Sequence, residues 1–79
     1  MIFSSEKEKN KFIEAKLLFL QEVVFRLPGG NESMEDLIQV GCVGLLKAID
    51  QYEESERETF EQFAEPLIAK EINAYLKYL

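Results

Sequence analysis

The side chains on which most enzymes depend are scarce in this sequence. It contains no histidine and a single cysteine, Cys42, which excludes a Cys/His zinc site, a Ser-His-Asp triad and a Cys-His pair. Carboxylates are abundant, and their densest run lies at residues 53–58. Such oxygen ligands suit Mg²⁺, but this run has the composition of a polar connector, without the convergent geometry that catalysis requires. We therefore expect no catalytic residue, no metal site and no cofactor, and the residue types favour binding over enzymatic chemistry.

The net charge and the length of the chain limit the classes of partner that it is expected to bind. The 79 residues carry 15 Asp and Glu against 9 Lys and Arg, a net charge of −6. Neutralising phosphates needs clustered basic side chains, so general affinity for nucleic acid is disfavoured, whereas an acidic chain attracts basic partners. No apolar run approaches the roughly 18 residues of a transmembrane helix, and residues 1–11 carry acids and bases in place of an apolar signal segment. We expect one small domain, residues 1–79, located in the cytoplasm, with a core of marginal stability.

Residues 5–27 are predicted to form the first helix. Ser5 and Glu8 match a capping box, in which two side chains satisfy the free N–H groups at a helix start. Apolar residues then recur at helical spacing, at Ile13, Leu17, Leu20 and Val24. Pro28 and the glycines that follow it end the helix, because a proline disfavours helical backbone angles at the residue before it.

Residues 33–52 are predicted to form the second helix, which starts at a capping box made by Ser33 and Asp36. One face carries Leu37, Gly41, Leu45 and Ile49. A glycine inside a helix costs about 1 kcal/mol relative to alanine, so Gly41 and Gly44 indicate that another backbone comes close. That backbone belongs either to another helix of the same domain or to a partner, and the sequence leaves both interpretations open.

The last helix is predicted to start at a third capping box, Thr59 and Gln62. Its apolar positions lie four residues apart, at Phe60, Ala64, Ile68, Ile72 and Leu76. Pro66 removes a backbone donor, so we expect a short helical turn, a bend near Pro66, and then helix to the end of the chain. No segment has β-strand alternation. The predicted fold is therefore all-α, a compact bundle of three main helices, the last bent near Pro66.

A long motif runs through the second helix. Residues 36–48 have the pattern Asp-Leu-Ile-Gln-x-Gly-x-x-Gly-Leu-x-Lys-Ala, and residues 59–66 follow with Thr-Phe-Glu-Gln-Phe-Ala-Glu-Pro. Both segments resemble region 2 of the sigma-70 family, and the second is similar to the stress and sporulation subgroup. The resemblance covers most of the chain and weakens before Val24. It implies a sigma domain 2-like fold and is closest to the stand-alone region-2 subunit of a two-part sigma factor.

The resemblance implies a surface that binds RNA polymerase. In the family, the Asp-Leu-Ile-Gln helix docks on a coiled coil of the β′ subunit of core RNA polymerase. At the matching positions of this sequence, the resemblance implies that Asp36 and Gln39 make polar contacts with the coiled coil. The apolar side chains beside them are Leu46, Val40 and Cys42. From the residues alone, Asp36 is equally a helix cap and Gln39 equally a solvated surface residue. The capping role of Asp36 is compatible with docking.

A second surface of the family melts promoter DNA, using aromatic side chains that stack on unpaired bases and basic side chains that hold the backbone. The matching candidates here are Phe60, Phe63 and Lys70. Core packing is at least as well supported for Phe60, which lies on the apolar stripe. Carboxylates that repel phosphate stand nearby, offset only by three basic residues; the acids are Glu58, Glu61 and Glu65, and the bases are Arg57, Lys70 and Lys77. We expect promoter DNA to be contacted only within a larger complex.

We expect the protein to act in transcription initiation as a co-regulator that binds core RNA polymerase and works together with a second protein. No segment resembles the family's promoter-reading helix-turn-helix, so we expect a separate sigma-like protein to carry it and to contact the apolar or acidic surface of the last helix. Tyr78 lies off the main apolar stripe, either as an exposed contact or as a cover over the end of the core. Two alternatives remain: a decoy that occupies the polymerase site and blocks a full-length sigma factor, and a helical adaptor unrelated to transcription. An enzyme is the least supported reading.

Overall fold

Four α-helices account for most of residues 1–54 and 57–78, the part of the chain that this computed structural model describes. They are α1 (Glu6–Ala15), α2 (Leu17–Arg26), α3 (Met34–Gln51) and α4 (Phe60–Lys77). The predicted all-α class is confirmed. Two residues of the expected polar connector, Ser55 and Glu56, and the final residue of the expected last helix, Leu79, lie outside the described residues. None of the four helices is both long and apolar enough to cross a membrane.

The starts of α3 and α4 lie where the capping patterns predict them. The Oγ of Ser33 accepts a hydrogen bond from the backbone N–H of Asp36 at 3.1 Å. At α4 the capping box is complete: Thr59 Oγ1 accepts from the N–H of Gln62 at 3.1 Å, and Gln62 Oε1 accepts from the N–H of Thr59 at 2.9 Å. These bonds satisfy backbone donors that have no partner inside the helix, so each helix has a defined first residue.

The predicted first helix is divided in two at Lys16. Its N-terminal cap forms as expected, since Ser5 Oγ accepts from the N–H of Glu8 at 3.2 Å. The backbone of Lys16 has φ −100° and ψ 0°, and its N–H donates to the carbonyl oxygens of both Phe12 and Ile13, which closes the last turn of α1. The apolar spacing continues through this break, and for that reason a periodic pattern alone predicts one helix. Before Pro28, α2 ends at Arg26 as expected.

Three of the helices build the core. Buried apolar side chains come from α2, α3 and α4, and they are Leu20, Val23, Val24, Leu37, Leu45, Ala48, Ile49, Phe60, Ala64, Ile68 and Ile72. No residue of α1 is fully buried, and α1 instead packs half-buried side chains such as Phe12 and Ile13 against the same core. Most of the hydrophobic stabilisation therefore joins α2, α3 and α4.

Gly44 lets α3 and α4 come into backbone contact. A Cβ atom added at Gly44 would lie 2.6 Å from the Cα of Ile68 and 2.6 Å from the carbonyl oxygen of Leu67, which are both backbone atoms of α4. At Gly41 an added Cβ would meet only side-chain atoms, at 3.1–3.3 Å, from Leu20, Val24 and Ile68. The close backbone approach expected from the glycines is thus provided by helix packing inside the protein.

Pro66 lies within α4 and does not divide it. The helix is continuous over Phe60–Lys77, so the bend expected near Pro66 does not start a new helix. Pro66 is exposed, and its missing N–H costs α4 the bond to the carbonyl of Gln62. Ala64 and Ile68 on either side of it are both fully buried against the other helices. Their burial anchors α4 to the core on both sides of Pro66.

The contact at Gly44 predicts a difference between two glycine-to-alanine variants. Gly44→Ala forces backbone atoms of α3 and α4 apart and is expected to lower the free energy of unfolding by about 2 kcal/mol or more. Gly41→Ala meets side-chain methyl groups instead of backbone atoms, and the better helix propensity of alanine offsets part of the crowding, so its effect stays within about 1 kcal/mol. Urea unfolding followed by circular dichroism measures both. Equal stability of the two variants would contradict the backbone contact.

Candidate functional site

One exposed row of side chains runs along α3, opposite its core face. We call it the α3 stripe and define it as Asp36, Gln39, Val43 and Leu46. Their spacing of three, four and three residues places them on one side of a helix. Val43 is 45% and Leu46 40% exposed, which is high for apolar side chains of a helix whose other face is fully buried. The structure therefore brings three of the predicted polymerase-binding residues together on one surface.

Val43 is the member of this row that the motif alone does not single out. It occupies one of the two variable positions between Gly41 and Gly44 in the motif. Helical spacing identifies it, because it lies four residues after Gln39 and three before Leu46. The α3 stripe thus combines two polar residues near the start of the helix with two apolar residues in its middle.

The other two predicted polymerase-binding residues lie at the edges of the α3 stripe. Val40 and Cys42 are half-buried and pack against the core. Val40 also lines a shallow groove between α3 and α4 with Tyr75 and Tyr78. Because part of each side chain is already covered, Val40 and Cys42 offer less surface to a partner than Leu46 does.

A tight backbone turn and a contact from α4 hold the segment just before the first turn of α3, where Asp36 lies. Gly30 has a φ of +62°, which closes the turn before the helix. The hydroxyl of Tyr75 in α4 donates a hydrogen bond to Glu32 Oε1 at 2.8 Å, and this bond raises the pKa of Tyr75. Only the backbone N–H of Asp36 serves in the cap, so its exposed carboxylate stays available. The capping and binding roles of Asp36 are therefore compatible in the folded protein.

The three candidate DNA-melting residues do not share one environment. Phe60 is only 6% exposed, and its ring makes edge-on contacts with Phe12 and Tyr52 at centroid distances of 5.0 and 5.6 Å. Phe63 is half-buried against Tyr52, and Lys70 is exposed seven residues further along the same side of α4. Phe60 is thus a core residue, as its place on the apolar stripe indicates, whereas Phe63 and Lys70 reach the surface.

The acidic residues of α4 are paired with bases from outside α4. Lys16 Nζ donates to Glu61 Oε2 at 2.6 Å. Arg26 contacts Glu65 Oε1 at 2.9 Å through Nη2, and Lys47 of α3 pairs with Glu71. For Glu61 and Glu65, the expectation that only basic residues of the last segment offset their charge is wrong. The cations come from distant parts of the chain, 45, 39 and 24 residues away in sequence.

Lys16 makes the most enclosed of these pairs. Its side chain is 21% exposed, and its ammonium lies 5.2 Å from the ring centroid of Phe12 and 5.8 Å from that of Phe60. The hydrogen bond from Lys16 is the main reason why the pKa of Glu61 is lowered. The pair joins the junction of α1 and α2 to the first turn of α4, next to the aromatic part of the core.

One row of exposed residues on α4, beside the paired glutamates, contains no acid. We call this row the α4 outer stripe, whose exposed members lie four, four, three and four residues apart, at Gln62, Pro66, Lys70, Asn73 and Lys77. Its net charge is positive. This row of α4 therefore repels phosphate less than the overall charge of −6 indicates.

The structure defines an all-helical domain with an exposed row of polar and apolar residues on α3. Comparison with known families agrees with this class: Sigma-70 region 2 matches residues 12–78. The chain therefore belongs to the sigma-70 region 2 family.

Several sigma factors are similar to this chain. The RNA polymerase sigma-G factor of Clostridium acetobutylicum is 39% identical over 69 residues, which are 87% of this chain and 27% of that protein. The RNA polymerase sigma-G factor of Bacillus subtilis (strain 168) is 35% identical over 72 residues, 91% of this chain and 28% of that protein. The RNA polymerase sigma-B factor of Bacillus anthracis is 46% identical over 55 residues, 70% of this chain and 21% of that protein. The resemblance to stress and sporulation sigma factors is confirmed, and the chain spans about a quarter of the length of these relatives.

The Lys16–Glu61 pair predicts a pH-dependent loss of stability. Pairing with Lys16 lowers the pKa of Glu61 in the folded protein. The pair therefore adds to the free energy of unfolding at pH values above the pKa of Glu61 in the unfolded chain, which is about 4.3. This stabilisation is lost as the pH falls through the lower pKa of the folded protein. At pH 7 we expect Glu61→Gln to destabilise the protein by about 0.5–1 kcal/mol, since the pair is partly exposed to solvent. The difference from wild type should shrink below about pH 4.

Unfolding by urea at a series of pH values measures this effect. Glu14→Gln is the matched control, because it removes an exposed carboxylate at the end of α1 and is not expected to destabilise the protein at pH 7. A constant difference between Glu61→Gln and wild type down to about pH 3 would show that the ion pair does not contribute.

Proposed function

We propose that the protein is a transcription-initiation subunit that binds core RNA polymerase through the α3 stripe. The observation that carries the proposal is the common exposure of Asp36, Gln39 and Leu46 on one side of α3. These are the positions at which the family motif places polymerase contacts. The sigma-70 region 2 match and the sigma-G and sigma-B relatives support the same role.

The chemistry of the α3 stripe suits a basic helical partner. Asp36 and Gln39 supply polar groups, and Val43 and Leu46 supply an apolar area one to two turns further along. Interfaces of this kind combine apolar contacts at the centre with hydrogen bonds at the rim. The net charge of −6 favours the approach of a cationic surface. We propose the coiled coil of the polymerase β′ subunit as that partner.

We further propose that promoter DNA is contacted within the polymerase complex through the α4 outer stripe. Lys70 and Lys77 supply positive charge there, and Phe63, unlike Phe60, lies near enough to the surface to stack on an unpaired base. Glu61 and Glu65 are already paired with Lys16 and Arg26, which reduces their repulsion of phosphate. Two lysines supply little affinity, so this contact needs the polymerase to hold the DNA in place.

The promoter-reading part is proposed to come from a second, sigma-like protein. A contact point for it is available at the end of α4, where Tyr78 is 86% exposed beside the groove that Val40 and Tyr75 line. This exposure favours the contact role of Tyr78 over a role as a cover for the core. A tyrosine exposed beside a groove supplies both apolar area and a hydroxyl to an interface.

One observation favours a second candidate function, a decoy that blocks a full-length sigma factor. Phe60, one of the aromatic residues at the DNA-melting positions, is held in the core by Phe12 and Tyr52. A domain that binds polymerase but lacks that aromatic residue at its surface melts DNA poorly. In vitro transcription separates the two functions: stimulation in the presence of the second subunit supports the initiator, and inhibition under all conditions supports the decoy.

Binding to the isolated β′ coiled coil tests the proposal most directly. Gln39→Ala and Asp36→Ala are each expected to weaken binding by about 1–3 kcal/mol, because each removes a polar contact at the interface. Isothermal titration calorimetry against the purified coiled coil, and pull-down of core polymerase, measure the loss.

Matched controls lie on α1, away from the α3 stripe. Asn10→Ala removes an exposed amide and Glu14→Ala an exposed carboxylate, and both are expected to bind as wild type does. Circular dichroism shows whether each variant is folded. If wild type binds neither the coiled coil nor core polymerase, the fold has kept the family's shape without its docking function, and a helical adaptor takes its place as the leading interpretation.

A further inference from the structure

A second exposed apolar surface lies on α2. Leu18 is 67% and Phe25 81% exposed, and both line an open groove that extends to Met34 at the start of α3, which is 38% exposed. Gln21 and Glu22 lie between the two α2 anchors. We call this surface the α2 groove. Single exposed apolar residues are common, but several around one groove mark an interaction surface.

Folding does not account for the apolar side chains of the α2 groove. The core side of α2 is supplied by Leu20, Val23 and Val24, which are at most 2% exposed. Leu18 and Phe25 project from the other side of the same helix and remain in water. A phenylalanine that is 81% exposed contributes almost none of its hydrophobic free energy to the folded state.

The spacing of the groove residues suits a partner of helical shape. Leu18, Gln21, Glu22 and Phe25 follow the i, i+3, i+4, i+7 pattern by which helices pack against each other. The two apolar anchors are seven residues apart, so they lie about 10 Å from each other along the helix axis. That length corresponds to two turns of a facing helix, which offers its own apolar residues at the same spacing.

The charges around the α2 groove indicate which kind of helix it binds. Glu22 lines the middle of the α2 groove, while the positive charge of Arg26 at its end is already compensated by Glu65, 2.9 Å away. Glu35 follows Met34 in the sequence and is exposed. The groove is therefore acidic after its one base is paired. A second copy of this chain, with a net charge of −6, would bring like charges together at this surface.

We propose that the α2 groove binds an amphipathic α-helix of another protein, with apolar side chains over two turns and Lys or Arg opposite Glu22. The site is separate from the α3 stripe. Met34 and Asp36 are two residues apart in α3, and residues at that spacing point to different sides of a helix. The protein thus offers two binding surfaces, one on α3 and one on α2 and the start of α3.

A synthetic peptide tests this proposal. The probe is a labelled helical peptide with leucines at i, i+3 and i+7 and lysines beside them; a second peptide carries glutamates in place of the lysines, and a third has the lysine sequence scrambled. Fluorescence anisotropy is expected to show binding of the lysine peptide, at least about tenfold tighter than either of the others. Glu22→Gln is expected to weaken binding several-fold and to reduce its dependence on salt.

Matched variants locate the binding surface. Phe25→Ser and Leu18→Ser are each expected to weaken the lysine peptide by roughly tenfold or more, without loss of thermal stability, because both side chains are exposed. Ile2→Ser removes a side chain that is 92% exposed elsewhere, and Leu46→Ser alters the α3 stripe; both are expected to keep peptide affinity. Phe25→Ser is also expected to keep its affinity for the β′ coiled coil.

Three results would overturn the proposal. Equal binding of the lysine and scrambled peptides would show attraction by charge alone, without a groove. A concentration-dependent dimer in analytical ultracentrifugation, dissociated by Phe25→Ser, would show that a second copy occupies the groove. A loss of β′ binding in Phe25→Ser as large as that in Gln39→Ala would show that the groove is part of the polymerase surface.

Discussion

The backbone contact between α3 and α4 at Gly44 is the constraint on which the rest of this structure depends. With no side chain at Gly44, the Cα of Ile68 and the carbonyl of Leu67 come within a distance that any Cβ would block. That approach fixes the distance and rotation of α4 relative to α3. The core faces of both helices are then buried against α2, and the α3 stripe is left facing solvent. A glycine in the middle of a helix weakens it locally, and here the weakness is offset by packing.

The position of α4 also decides which charges meet. Glu61, Glu65 and Glu71 lie on the sides of α4 that approach the other helices, where Lys16, Arg26 and Lys47 reach them. The remaining exposed residues of the α4 outer stripe are neutral or basic. An acidic protein can therefore present a weakly basic surface on one helix, because the sign of the total charge does not determine where the charges lie.

The two exposed surfaces differ in character. The α3 stripe joins polar residues at its start to moderately exposed apolar residues, and its members other than Val43 lie at positions of the family motif that are expected to contact the polymerase. The α2 groove has more strongly exposed anchors, Leu18 and Phe25, around an acidic residue. A chain of 79 residues has a small core, so apolar side chains left outside it reduce what burial can contribute to stability. Their retention on the surface is easier to understand if partners cover them.

Local features of the sequence determined much of this protein. Side chains three residues apart make the caps at Ser5, Ser33 and Thr59, so the helix starts follow from neighbouring residues alone. Apolar spacing predicted most of the buried residues of α2, α3 and α4, although Leu17, which shares that spacing, is 39% exposed. The motif of residues 36–48 indicated the family. Tertiary structure decided the rest. The break at Lys16 leaves no mark on the apolar spacing, and the ion pairs of α4 join residues 24 to 45 positions apart. Burial of Phe60 and close approach at Gly44 depend on which helices face each other, and a one-dimensional pattern records the faces of a helix without recording what packs against them.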